Sequence, residues 1–404
     1  MRVTRSQFLS LLAGGVASHF ATPAIAQGSA TLGIDATAKV VTVGGFTPVT
    51  GPVPFYGILT RAADAFFRNL NENGGIRGWQ VRYVTMDDGY EPSRSVAVTR
   101  RLVEENGIFA LVAAVGTATN AAVIPYAREQ GLPMIGPIGG ASAFFSELHV
   151  FPLLPDYGWS AAANAEYALE DLRLRRIALL WENDELGRSA KRGFDKYMAA
   201  RSIGPVESQP FDVRATDFTP QIRRLVNAAA DGVIMFGSNA NLAAALRAAD
   251  RAGFRSTWFA PFFTADPSTV RLAGDLLNGT YFSSWLIPVG GEEPEVTAYR
   301  NSIARFAPND PVGVFGLNGW SNAALFAVGF EKLLESGRAL TRANLIEVME
   351  TVTDATVGGA RNVGFQPGDH RGTRQEGIIR ADGGRFSLVR GFRPYPASAF
   401  DMPT

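Results

Sequence analysis

The run Asn71–Pro137, NENGGIRGWQVRYVTMDDGYEPSRSVAVTRRLVEENGIFALVAAVGTATNAAVIPYAREQGLPMIGP, decides the fold. Trp79–Met86 reads as a strand and Pro92–Glu105 as an amphipathic helix. Ile108–Val115 is a short apolar run that stops at Gly116-Thr117. Asn120–Glu129 then predicts a second helix, and Leu132–Ile135 another buried strand. Such alternation implies a parallel sheet with helices on both faces. Sheets of this kind bind ligands in the crevice beyond the carboxyl ends of their strands. Here those ends carry Asp87-Asp88, Gly116-Thr117 and Gly136–Ser142, small polar loops suited to hydrogen bonding through backbone N–H and hydroxyl groups.

Outward from this run the same plan continues. Upstream, Ala38–Gly44 predicts a strand and Phe55–Asn71 a helix that ends at Asn73-Gly74-Gly75, where glycine tolerates the left-handed conformation of a helix terminus. Downstream, Phe151–Tyr157 is extended and marks a first crossing into another domain. Helix Trp159–Leu172, strand Arg176–Trp181, helix Arg188–Ala200, strand Gly232–Gly237, helix Asn241–Ala252 and strand Thr257–Ala260 form a second α/β layer. The chain then returns through Tyr281–Pro288 and three helices, Glu295–Phe306, Trp320–Ser336 and Thr341–Thr351. It ends in short strands around Asp382-Gly383-Gly384, a hairpin turn signal.

Composition narrows the function. Arg2 and Arg5, the apolar run Phe8–Ala21 and Ala24-Ile25-Ala26 form a secretory signal peptide with cleavage expected after Ala26. The apolar run is shorter than the ~20 residues a spanning helix needs. Ser6 stands where a twin-arginine signal would have its second arginine, so the export route stays open. The chain has 0 cysteines, which excludes a lipid anchor, disulfides and thiolate sites. Roughly 380 mature residues imply two domains. A formal net charge of +0 argues against nucleic acid as a partner. His149 and His370 lie far apart and are expected on the surface or in loops. Asp87-Asp88 lack a histidine or third carboxylate nearby, and Glu182, Asp184 and Glu185 read as a solvated helix start. No Gly-x-Ser-x-Gly elbow occurs, and Gly136–Gly140 lacks a phosphate-loop lysine. Neither an enzyme nor a cofactor or metal site is expected.

Tyr56-Gly57, the run Asn71–Gly78, Asp87-Asp88, the helix after Pro92, Gly131–Ile135, Gly187, Ala252-Gly253-Phe254 and Phe365–Gly368 resemble the leucine/isoleucine/valine-binding protein family. These are type I periplasmic solute-binding proteins of ABC transporters. The resemblance implies two doubly wound α/β lobes joined by three crossing strands, with ligand held between them. Lobe 1 would comprise 33–155 plus 285–355, and lobe 2 would comprise 156–284 plus 356–404. It further implies a periplasmic monomer that binds a small molecule and docks on a membrane permease. The family's carboxylate-binding hydroxyl falls on Thr117, with Thr119 close by. Its second carboxylate loop falls on Gly139, Gly140, Ala141 and Ser142, and its cleft tyrosine on Tyr56. The positions that hold a ligand ammonium in amino-acid binders are Phe262, Leu186 and Ser238 here. An unpaired buried ammonium is costly, so an apolar or aromatic, carboxylated ligand is expected, with Phe262-Phe263 as an apolar wall. Branched-chain amino acids, amides, a polycyclic lipid and a sensing role without transport stay open as alternatives.

Intact-mass measurement of protein recovered from the periplasm should give a chain beginning at Gln27. A species that retains Met1–Ala26, or carries lipid, would refute the signal assignment.

Overall fold

In the computed structural model, residues 32–395 are described. The expected signal segment and its cleavage site lie outside the described residues. Strand β1 (Ile34–Asp35) leads into β2 (Val40–Thr47), whose VVTVGGFT sequence is buried from its second residue onward. Helix α1 (Gly57–Glu72), β3 (Gln80–Asp87), α2 (Pro92–Glu104), β4 (Ala110–Val112), α3 (Thr117–Glu129), β5 (Met134–Ile135) and β6 (Val150–Phe151) complete the first unit. Its strands run parallel in the order β3-β2-β4-β5-β6, and β1 pairs antiparallel with the start of β2. The chain winds one way from β2 to β3 and the other way from β4 to β6. The loops after β2 and β4 therefore part, and a crevice opens at the carboxyl ends.

The second unit repeats that winding. It comprises α4 (Tyr157–Glu166), β7 (Ile177–Glu182), α5 (Glu185–Ala199), β8 (Glu207–Phe211), α6 (Thr219–Asn227), β9 (Gly232–Phe236), α7 (Asn239–Arg251), β10 (Thr257–Pro261), α8 (Pro267–Ala273) and β11 (Tyr281–Ser284). Strand order is β8-β7-β9-β10-β11, all parallel. Helices α9 (Pro294–Phe306), α10 (Val314–Glu335) and α11 (Arg342–Met349) return to the first sheet, where α9 and α10 lie on α1. The guanidinium of buried Arg342 fastens α11 there by donating to the carbonyls of Ile108, Phe109 and Gln130 at 2.7, 3.1 and 2.9 Å. After the small hairpin β12 (Ala355–Val357) and β13 (Ala360–Val363), strand β14 (Gln375–Asp382) extends the second sheet antiparallel to β11, and β15 (Arg385–Pro394) pairs antiparallel with β14 at the sheet edge. Two doubly wound lobes result.

Three expectations change in detail. β8 and α6 fall in a stretch that shows neither period clearly, since Ser-Gln-Pro interrupts the strand at the sheet edge. Helix α3 starts at Thr117, three residues before the expected Asn120, which puts Gly116 at its N-cap. Helix α10 starts at Val314 rather than Trp320 because Gly316 and Gly319 hide the helical pattern. Their hydrogens are needed for packing: a Cβ on Gly319 would strike the Leu59 carbonyl of α1, and one on Gly316 the Tyr299 hydroxyl.

Between the lobes the chain passes through residues 152–156, 285–290 and 364–374. Thr373 donates to the Leu153 carbonyl at 2.9 Å, and Ile287 N–H to Gly359 at 3.0 Å. Asp156 sits on the first crossing. Its carboxylate caps α4 through the Gly158 N–H, accepts from Ser142 of the first lobe, and accepts from Ser189 of α5 at 3.4 Å. His370 lies in a loop as expected, yet it is buried. It stacks on Phe151 at 4.2 Å, with Nδ1 at 2.8 Å from the Val150 carbonyl and Nε2 at 3.1 Å from Glu350.

Glu376 on β14 is buried and accepts a 2.5 Å bond from Ser160 of α4. Burial pushes its pKa up to about 8, the Ser160 bond opposing. The folded state thus keeps a proton that the unfolded chain releases above its ordinary value near 4.5. This group's contribution to stability is full below that value and is lost as pH rises through 8. Glu376→Gln keeps the Ser160 partner and removes the ionisation. Urea midpoints should diverge from pH 5 to pH 8.5, with the variant ahead by about 2–5 kcal/mol at the top of the range. Parallel profiles would show that Glu376 ionises freely.

Candidate functional site

The carboxyl ends of the two sheets face each other across a narrow, partly open cleft. On the first lobe, the turn after β2 brings in Tyr56 and Leu59. Asp87 at the end of β3 fixes that turn. One oxygen accepts the N–H groups of Val49 and Gly89 at 2.8 and 3.0 Å, and the other accepts the Thr50 hydroxyl at 2.7 Å. Although desolvation opposes it, these bonds hold the Asp87 carboxyl well below the usual range. Asp88 is fully buried and accepts from Tyr90 N–H at 3.2 Å and the Ser95 hydroxyl at 2.7 Å. It keeps Tyr90 at φ 61°, a left-handed backbone that costs a non-glycine residue roughly 1–2 kcal/mol. In return the Tyr90 ring lines the cavity beside Tyr56, with centroids 6.1 Å apart.

Gly116, at φ 109°, ends β4 and begins α3 without a side-chain cap. The first N–H groups of that helix and the Thr117 hydroxyl are thereby presented at the cavity. Across the cleft Thr117 faces the Tyr157 phenol, which arrives from the second lobe at the start of α4. Helix α10 supplies Phe315, 4.9 Å from the Tyr56 ring, and Asn318. Asn322 donates to the Asn318 carbonyl oxygen at 2.7 Å, which leaves the amide N–H groups as Asn318's contribution to the cavity. The second lobe adds Leu186 from the first turn of α5, and Phe262 and Phe263 from the turn after β10. Trp285 backs Phe262 edge-on at 5.5 Å.

Among the described residues, no charged side chain lines this space. Burial pushes the phenols of Tyr56 and Tyr90 well above their ordinary range, and the carboxyls of Glu182 and Asp184 add to that. Glu182 is buried at the end of β7, and desolvation with the neighbouring Asp184 raises its own pKa well above normal. Asp184 also caps α5 through the Gly187 N–H at 3.2 Å. The acidic loop is therefore a largely buried pair behind the tyrosines, not the solvated helix start expected.

Of the residues singled out in the sequence, Tyr56, Thr117, Leu186 and Phe262 line the cavity. The others stand behind it. Thr119 donates back to the Val115 carbonyl at 2.7 Å. Gly139 lies against Thr117, and the Gly140 carbonyl accepts from Tyr157 N–H at 2.9 Å. Ala141 is core, and Ser142 is engaged with Asp156. Ser238 caps α7 in a reciprocal pair with Asn241. Tyr90, Tyr157, Phe315 and Asn318 escaped the sequence reading. Tyr90 was legible in the strand-end loop two residues past Asp88, and Tyr157 beside the first crossing. Phe315 and Asn318 belong to the glycine-masked start of α10.

The family model described as "Periplasmic binding protein" matches residues 40–385. The chain is similar to the "Leucine-, isoleucine-, valine-, threonine-, and alanine-binding protein" of Pseudomonas aeruginosa, 25% identical over 303 residues that cover 74% of this chain and 79% of that one. It is also similar to the "Leu/Ile/Val-binding protein" of Escherichia coli K12, 26% identical over 276 residues, or 67% and 71% of the two chains. Among solved structures it shares the fold of a fatty acid ABC transporter substrate-binding protein from Thermomonospora curvata. There the TM-score is 0.82 at 20% identity, covering 92% of this chain and 97% of the other. A branched chain amino acid ABC transporter protein from Thermus thermophilus with bound valine gives a TM-score of 0.81 at 19% identity over 89% and 97%.

Gly116 is the most constrained position of the site. A Cβ there would land on the Thr119 hydroxyl and 2.8 Å from the Tyr90 ring, on a backbone that disfavours side chains. Gly116→Ala should lower stability by about 1–3 kcal/mol in urea unfolding. An unchanged midpoint would mean that the β4–α3 turn is not left-handed in solution.

Proposed function

The chain belongs to the periplasmic binding protein family, and from that premise we propose that it is the substrate-binding component of an ABC importer. It captures a small, largely apolar or aromatic carboxylate between its lobes and presents it, as a monomer in the periplasm, to a membrane permease. The observation that carries the ligand class is the lining: phenylalanine, leucine and tyrosine rings and chains, one threonine, one carboxamide and uncapped helix N–H groups, without a side-chain charge. A carboxylate is served by the start of α3. An ammonium has no counter-charge on the lining. The free space between the lobes, about 20 Å³, holds little more than a water molecule, so a ligand of this class enters only when the lobes part. Among the described residues no helix is long and apolar enough to cross a membrane. The lobe boundaries proposed are those drawn from the sequence for the first two passages, at 152–156 and 285–290, while the third moves from 355/356 to 364–374 because β12 packs on α10.

One observation favours a second reading, an amine-bearing ligand such as the amino acids named for the relatives. Glu182 and Asp184 act electrostatically on Tyr56 and Tyr90, so a cation among those phenols would feel them.

Calorimetry with leucine, its deaminated counterpart 4-methylpentanoate, and phenylacetate separates the readings. An unpaired buried charge costs on the order of 3–5 kcal/mol, so the deaminated acid should bind at least about a hundredfold more tightly than leucine. The reverse order, abolished by Glu182→Gln, would overturn the carboxylate-only ligand and assign the ammonium to the Glu182–Asp184 pair.

A further inference from the structure

Helix α10 is the longest helix described, at 22 residues, and its own N-cap, Gly313, offers no side chain to its first N–H groups. The cap comes from the opposite lobe. Asp266, directly before α8, is buried, and its two oxygens divide their work. Oδ1 accepts the Ser268 N–H at 3.0 Å and the Ser268 hydroxyl at 2.8 Å, which caps α8 within the second lobe. Oδ2 accepts the Phe315 N–H of α10 at 3.2 Å, across the interlobe boundary. Gly313 permits the approach, because a methyl group there would land on Oδ2 and 2.7 Å from the Pro267 ring.

We propose that Asp266 is a closure latch: a carboxylate that caps a helix of each lobe at once and so sets how far the closed form is favoured over the open one. The physical argument is one of complementarity. When the lobes part, both the carboxylate and the positive end of α10 return to water, where each is well solvated. When they close, both are buried, Asp266 to 1% and Phe315 to 3% exposure, and a buried carboxylate needs donors. The helix end supplies one. Phe315 is also the ring that stacks on Phe55 at 5.3 Å and meets Tyr56 at 4.9 Å. The residue whose N–H completes the latch is thus a wall of the cavity, and latch and wall form in one movement. Asp266 touches no ligand on this account. It is a positioning residue, and its role does not depend on which ligand is bound.

Asp266→Asn tests this selectively. Asparagine is a good N-cap, so its single carbonyl oxygen can keep Ser268 and α8 while its amide opposes the Phe315 N–H. The chain has 0 cysteines, so Glu91→Cys and Arg214→Cys, at an exposed interlobe ion pair of 3.4 Å, place spin labels without background. Two readouts on ligand-free protein are needed. Hydrogen exchange of a peptide covering 313–318 should accelerate by about tenfold or more in Asp266→Asn, while the peptide covering 267–273 keeps its wild-type rate. The ratio of closed to open interlobe distances should fall by a similar factor. Faster exchange with an unchanged distance distribution would overturn the latch and leave a permanent hinge-side contact. Equal acceleration of both peptides would make Asp266 a second-lobe cap alone, and no change in either readout would refute the proposal outright. Gly313→Ala, on an extended backbone that alanine can adopt, excludes the contact from the other side and must give the same pattern even if Asp266→Asn does not fold. None of these outcomes depends on calorimetry of the proposed ligands, so either reading can fail alone.

Discussion

Asp156 is the constraint on which the two-lobed arrangement turns. It is a buried carboxylate at the point where the chain first leaves one sheet for the other, and its donors come from both sides: Ser142, Ser189 and the amide that starts α4. A buried acid without cationic contact must collect hydrogen bonds, and here that need draws the loop that carries Ser142 in the first lobe against α5 of the second. Within the second lobe, Gly158 and Gly193 let α4 and α5 close on each other, since a Cβ on either would run into the other's backbone. Burial pushes the Asp156 pKa up to about 6, the Ser142 bond opposing.

The same logic explains why several residues with ligand-binding credentials in the sequence serve the scaffold instead. Ser142 and Gly140 are spent on Asp156 and on the Tyr157 backbone, and Ser238 on α7. What remains at the cavity is a set of groups that hold no formal charge, with the acids set one layer back. Burial first, and the charges of Glu182 and Asp184 second, make the Tyr56 and Tyr90 phenols poor acids and dependable donors.

Much of this was legible before any coordinates. Alternating strands and helices from Ala38 to Ala260 carried the doubly wound plan, because parallel sheets buried on both faces leave unbroken apolar runs such as IFALVAAV. The three-residue error at α3 matters most for function. Thr-Ala-Thr-Asn looks like a loop approaching a cap, and only the left-handed Gly116 shows that the helix has already begun. Tyr90 stood in a strand-end loop already marked as lining the crevice, but nothing in Asp-Asp-Gly-Tyr announces that Asp88 will hold a tyrosine in a conformation it disfavours. For Phe315 and Asn318 the obstacle was propensity. Gly313, Gly316 and Gly319 argue against a helix locally, and the contacts that reward them, with Asp266, Tyr299 and Leu59 of α1, lie outside the helix.

That separation has a kinetic side. Helix α10 covers α1 from the far end of the chain, and β14 pairs with β11 only after α9, α10 and α11 have gone back to the other lobe. During synthesis neither sheet can be fully covered until its late partner has emerged, and non-local pairings of this kind form slowly. The nascent chain must therefore spend much of its elongation with α1 of the first lobe uncovered and the β11 edge of the second sheet unpaired. A topology that passes between lobes three times delays its own completion, and keeps the polypeptide open to whatever binds unfolded chains until almost the last strand is made.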